Sequence, residues 1–162
     1  MQILLKKAEE KILKFLQGCK GLGIDTMVLD DAWFGHRDND QSSLGDWFVD
    51  KRKFPNGLQK IIDTCHGQGM NFGIWFEPEM ISPDSDIFRA HPDWHLHVTG
   101  RDSSIARNQY VIDYSRKEVR DYIYSQMYKI LSENDIDYVK WDFNRNLTEV
   151  ANADLPPERT MR

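Results

Sequence analysis

The chain has 162 residues, 40% of them apolar and 12% aromatic with five Trp, and it carries a net charge of −5 with a pI near 5.5. That length supports one domain at most. The acidic balance, with no basic stripe, excludes a nucleic-acid partner. No apolar run approaches the roughly 20 residues that span a bilayer, so no membrane partner is expected either.

In chain order, Ile3 to Cys19 reads as an amphipathic helix, with Leu5, Ala8, Ile12, Phe15, Leu16 and Cys19 on one stripe. Charges interrupt this segment throughout, so it is not a signal peptide. A soluble, cytoplasmic location is expected, and export would require an upstream segment. Gly21 and Gly23 stop the helix. Thr26 to Leu29 is a short apolar run ending in Asp30-Asp31. The loop after it, AWFGHRDNDQSSLGDWFVDKRKFPNG, holds 26 residues, longer than a plain connector needs. Leu58 to His66 reads as a second helix, and Phe72 to Phe76 as a second apolar run, ending in Glu77-Pro78-Glu79. Ser82 to Ala90 holds a short helix, and a His-rich polar loop runs on to Asn108. Tyr110 to Asp113 is extended. Ser115, with Glu118 in the capping-box position, opens a long helix whose face is Val119, Tyr122, Ile123, Gln126, Met127, Ile130 and Leu131. Tyr138 to Trp141 is the third apolar run, read as buried, and ends in Asp142. The tail ANADLPPERTMR reads as loop.

Helices alternating with apolar strands imply an α/β fold with a parallel sheet. Ligands in such folds sit at the carboxyl ends of the strands, where Asp30, Asp31, Glu77, Glu79 and Asp142 fall. A doubly wound nucleotide fold is the rival, but no GxGxxG follows the first strand and no GxxxxGK[ST] occurs. A (β/α) barrel is preferred.

Lys140 and Asp142 stand at i and i+2 of a strand and so share a face, which in a barrel is the axis. Val139 and Trp141 then point to packed helices. A carboxylate beside an ammonium stays ionised, as a nucleophile at an anomeric carbon requires; a buried ion pair is the competing reading. Asp30-Asp31 need donors, whether sugar hydroxyls, backbone amides or a metal, and capping of the next turn competes. Trp33, Trp47, Trp75 and Trp94 lie in or beside strand-end loops, placed either to stack on sugar rings or simply to pack. Arg107, in ARNQY, reads by itself as a surface charge. His91, His95 and His97 fit loop hydrogen bonding better than a metal site. Cys19 and Cys65 match no metal spacing and read as buried reduced thiols.

VLDDAWFGHR, SSLGDWFVDKRKFPNGL, FGIWFEPEMISPDSD, RAHPDWHLH, RNQYVIDYS and YVKWDFNR with LTEV, in this order, resemble the α-galactosidases of glycoside hydrolase family 36, over residues 9 to 159. The resemblance implies a (β/α)8 barrel and a retaining hydrolase of terminal α-galactosides such as melibiose and the raffinose series. It implies no metal or organic cofactor, a small-molecule galactoside as the partner, and homo-oligomeric full-length relatives. Asp142 matches the catalytic nucleophile, and Lys140 a lysine that binds a galactose hydroxyl. Asp30 and Asp31 match tandem aspartates that hold the axial 4-hydroxyl and the 6-hydroxyl. Trp75 and Arg107 match further sugar-pocket positions, and Asn144 and Glu77 lie in matched motifs as supporting residues.

The family pattern also has parts this sequence lacks. Its first barrel strand ends in Asn-Asn-Trp-Glu, and MQILLKKA begins about where that segment should finish. Its acid/base aspartate comes from a later strand, and Asp154 follows Asp142 too closely to serve. A full barrel needs about 250 residues and eight strands, against three or four here. Residues 1–162 are therefore expected to be the N-terminal half of a catalytic barrel, helix 1 through strand 4 and the following loop, with negligible hydrolysis as an isolated chain. Alternatives are a raffinose-type transglycosidase, a non-catalytic sugar-binding or complementing fragment, and a metal-dependent barrel, against which Lys140 beside Asp142 argues.

Overall fold

The computed structural model describes residues 8–148. The sequence features at Ile3, Leu5, Asp154 and the tail from 149 onward lie outside the described residues. The elements are α1 (Ala8–Cys19), β1 (Thr26–Leu29), α2 (Gln59–His66), β2 (Asn71–Phe76), β3 (Met80–Ile81), α3 (Asp86–Ala90), a 3-10 turn (Pro92–Trp94), β4 (Tyr110–Val111), α4 (Lys117–Glu133) and β5 (Tyr138–Trp141). β1, β2 and β5 form a parallel sheet in that order. β3 and β4 make a separate antiparallel pair. The expected fourth strand at Tyr110 is therefore not part of the parallel sheet. It pairs with the segment just after β2 and closes a loop there.

The register fixes two faces. Val28, Gly73 and Tyr138 are aligned across the three strands, and Leu29, Ile74 and Val139 form the next row. Phe72, Ile74 and Phe76 point to the helix side and are fully buried, as are Ile61, Ile62 and Cys65 of α2 opposite. α1 packs on α2 and α2 on β2. Within α1, Leu16 and Cys19 are buried but Phe15 is 62% exposed, so the buried stripe is narrower than the spacing suggests. Both cysteines are free and buried, and burial, followed by the charge field of Cys19 and Asp137, pushes the Cys65 thiol up to about 11.

Two sequence expectations differ from the structure locally. The N-cap position of α4 falls on Arg116, one residue after Ser115, with no side-chain cap bond there, and the Ser115 amide and hydroxyl both donate to the Asp113 carboxylate. α3, by contrast, is capped by Ser85, whose hydroxyl accepts from the Phe88 amide at 3.1 Å. β5 is also not a buried strand. Tyr138 and Trp141 are 51% and 59% exposed, because β5 hydrogen-bonds to β2 alone among the described strands.

At the opposite end of the sheet from the acidic strand ends, Asp137 precedes β5. Its Oδ2 accepts from the Phe72 amide at 2.8 Å and lies 2.8 Å from His66 Nε2. The Asp137 hydrogen bond raises the His66 pKa, and the Phe72 amide followed by His66 lowers that of Asp137. His66 therefore contributes stability below its ordinary pKa and loses it as pH rises through the raised value. Asp137 contributes above the ordinary carboxylate range and loses it as pH falls through its lowered value. Proton NMR titration should give His66 a midpoint above 6.5, and Asp137→Asn should lower it; an unmoved midpoint would remove the pair from the account.

Candidate active site

β1 delivers Asp30 one step beyond its last paired residue, which puts it level with Trp75 on β2 and Lys140 on β5. Residues level with each other on parallel strands share a face. Accordingly Lys140 Nζ donates to Asp30 Oδ2 at 2.6 Å. Asp142, two residues beyond Lys140, shares that face. Its amide continues the ladder to the Phe76 carbonyl at 2.8 Å, and its Oδ2 accepts from the Trp75 indole at 3.0 Å. Oδ1 accepts from the Phe143 amide at 2.9 Å. Burial raises the Asp142 pKa, but hydrogen bonds from Trp75, Asn144 and Phe143 and the charge of Lys140 outweigh it, so the carboxyl lies below its ordinary range and is ionised at neutral pH. The Asp30 hydrogen bond raises the pKa of Lys140 in turn.

The Lys140–Asp30 pair is not buried. The side chains are 42% and 55% exposed. An exposed pair of this kind contributes little to stability.

The other sequence candidates fall around this centre. Asn144 donates its amide to Glu77 Oε1 at 2.5 Å, and Glu77 is 1% exposed with its pKa raised by burial. Glu77 thus anchors the turn that follows Asp142. Arg107 has φ +53, donates to the Asn144 carbonyl at 3.3 Å, and its charge acts on Glu77. Asp31 is turned away from Lys140 and held by Arg37. Trp33 and Trp47 do not offer faces to a ligand. They are at most 1% exposed and pack with Phe34 and Phe76 beneath Trp75, because the long loop after β1 carries its own apolar core. Trp94 is also buried, against His91 and Tyr122. His95 and His97 bond within their loop. Among the described residues no group of three or more His, Cys, Asp or Glu could hold a metal ion, and no helix is long and apolar enough to cross a membrane.

Sequence reasoning missed three residues. Arg37 is 3% exposed and Lys53 6%, both inside the loop after β1. Arg145, 5% exposed, donates to the carbonyls of Gln109 and Ser104, tying the turn after Asp142 to the loop that carries Arg107. A charged residue in a polar stretch gives no sign of burial, so only the excess of apolar residues around the first two could have pointed to them.

Trp75→Phe keeps the ring in its packing and removes the N–H that reaches Asp142. The Asp142 carboxyl should then titrate at higher pH, moving the acid limb of a pH–rate profile upward in a full-length context. An unmoved limb would separate Trp75 from Asp142.

A strand-end carboxylate held ionised, an adjacent ammonium–carboxylate pair and an indole thus share one rim of the sheet. The Melibiase family profile matches residues 3–162. Alpha-galactosidase Mel36A of Lactobacillus acidophilus is 54% identical over 151 residues, covering 93% of this chain and 21% of the relative. The crystal structure of the GH36 alpha-galactosidase AgaB from Geobacillus stearothermophilus superposes with TM-score 0.90 at 51% identity, covering 94% of this chain and 21% of that one. A variant of AgaA from the same organism, solved in complex with raffinose, gives TM-score 0.89 at 51% identity with the same coverage. The chain belongs to the Melibiase family, the α-galactosidases of glycoside hydrolase family 36. It spans about a fifth, 21%, of the length of these relatives.

Proposed function

We propose that residues 1–162 are one stretch of a (β/α)8 barrel and supply the nucleophile and part of the sugar-gripping rim of a retaining α-galactosidase. The barrel reading is supported by the family match, and each parallel strand lies beside its predecessor, β1-β2-β5, as barrel strands do. The observation that carries the functional reading is Asp142, ionised and fixed by Trp75 on the same rim as the Lys140–Asp30 pair.

In this reading the substrate is a terminal α-galactoside of the melibiose or raffinose type. Lys140, Asp30 and Asp31 take its ring hydroxyls, with Trp75, Asn144 and Arg107 completing this side of the pocket. Asp142 attacks the anomeric carbon as the bond to the leaving oxygen breaks. That oxygen takes a proton from a general acid, which the family resemblance assigns to an aspartate of a later strand. Water, giving its proton to the conjugate base of that acid, then displaces Asp142, returning the carboxylate and releasing galactose with its configuration retained. No organic cofactor or metal enters these steps.

The test is a chimera in which residues 8–148 replace the matching segment of Mel36A from Lactobacillus acidophilus. It should hydrolyse melibiose and raffinose, and proton NMR should show α-galactose as the first-released anomer. A β-first product or no turnover would overturn the reading.

A further inference from the structure

We infer that Arg37 is a positioning residue that aims Asp31 at a single sugar hydroxyl, an inference that rests on the galactosidase reading above. Its side chain is 4% exposed, while that of Asp31 is 40% exposed. Nε and one terminal nitrogen donate to Asp31 Oδ1 and Oδ2, both at 2.9 Å, in a two-pronged grip. The other terminal nitrogen donates to the Ser42 carbonyl at 2.9 Å, and the guanidinium lies 6.0 Å from the Phe34 ring centre. Each of its three nitrogens is thus tied by one of the five N–H groups.

The turn that carries this grip is itself fixed. Ala32 sits at φ +79 and Gly35 at φ +52, where an added Cβ would stand 2.8 Å from Ser43 Cβ. Lys53, nearly buried, donates to the Ala32 carbonyl at 3.0 Å and to the Arg37 carbonyl, so one ammonium ties both ends of the turn.

Counting lone pairs shows what remains for a ligand. Asp31 Oδ1 accepts from the Ala32 amide at 2.6 Å and from Arg37 Nε, and is full. Among the described residues Oδ2 accepts from Arg37 alone and keeps one site. Arg37 fills the buried side of the carboxylate, and the exposed side is left for one hydroxyl. Loss of Arg37 would leave Asp31 charged and held by the Ala32 amide at one oxygen only, so its aim loosens and the cost should fall on that hydroxyl.

In the chimera, inhibition constants for galactose, 4-deoxygalactose and 6-deoxygalactose are compared between the parent, Arg37→Gln and Arg37→Lys. Arg37→Gln should weaken galactose and one deoxy sugar about tenfold, and change the other, which lacks the hydroxyl that Asp31 holds, by less than about twofold. Arg37→Lys, which keeps the charge but not the fork, should fall between. Equal losses for all three sugars, or no loss, would overturn the inference, as would failure of both variants to fold in a melting experiment. An inactive parent chimera would instead sink the galactosidase reading itself. In the 162-residue chain, Asp31→Asn should shift the Arg37 Nε–H NMR signal; an unmoved signal would contradict the grip.

Discussion

Asp142→Asn in the chimera is expected to lower kcat by about 10⁴-fold or more, the scale on which loss of a nucleophile is felt, while galactose binds within about threefold of the parent. The amide has nearly the same shape. Its oxygen can still accept the Trp75 indole that Asp142 Oδ2 accepts at 3.0 Å, so the rim stays in place. What is lost is the negative charge that forms the bond to the anomeric carbon. Asp142→Ala should respond to added azide, which enters the vacated space, attacks from the same side and leaves a β-galactosyl azide. Comparable losses in kcat and in galactose affinity would mean that Asp142 holds the site together rather than reacting in it.

Gly73→Val is expected to cost about 3 kcal/mol, the upper range for overfilling a packed region, out of the 5–15 kcal/mol typical of a domain. Gly73 lies in the middle of the central strand, aligned with Val28 on one side and Tyr138 on the other. A Cβ there would stand 2.9 Å from Tyr138 Cδ1, 3.1 Å from Val28 Cγ2 and 3.2 Å from the Tyr138 carbonyl. The tyrosine lies over the glycine, one layer below the row of Asp30, Trp75 and Lys140. A side chain at 73 has to push β5 away from β2, and Asp142 moves with β5. Urea unfolding of the chain checks the stability loss. A midpoint equal to that of the parent would show that the sheet has slack the geometry does not suggest.

The sequence was most legible where period and punctuation agree. Thr26–Leu29, Phe72–Phe76 and Tyr138–Trp141 each read as strands because an apolar run ends abruptly in carboxylates, and the i, i+2 rule alone puts Lys140 and Asp142 on one face. It was least legible where partners are distant in sequence. Nothing near Asp31 says that its carboxylate turns to Arg37 while Asp30 turns to Lys140, 110 residues away. Trp33 and Trp47 read equally well as ligand faces or as core, and only the folded loop decides for core. Ser115 fits the local capping rule, yet the N-cap falls one residue later, on Arg116, and the bonds Ser115 donates go to Asp113, itself held by a bond from its amide to the Trp94 carbonyl. The exposed character of β5 was hidden as well, since apolar composition shows what a strand can bury and not how many neighbours it has.

The central claim is that Asp142 forms the bond to the sugar. Mass spectrometry of the chimera, quenched with acid during turnover of a fluorinated galactosyl fluoride that slows release, tests it most directly. One galactosyl-sized increment should appear on the peptide containing Lys140 to Asn144, with fragmentation placing it on Asp142. The increment on Asp30, Asp31 or Glu77 would contradict the account.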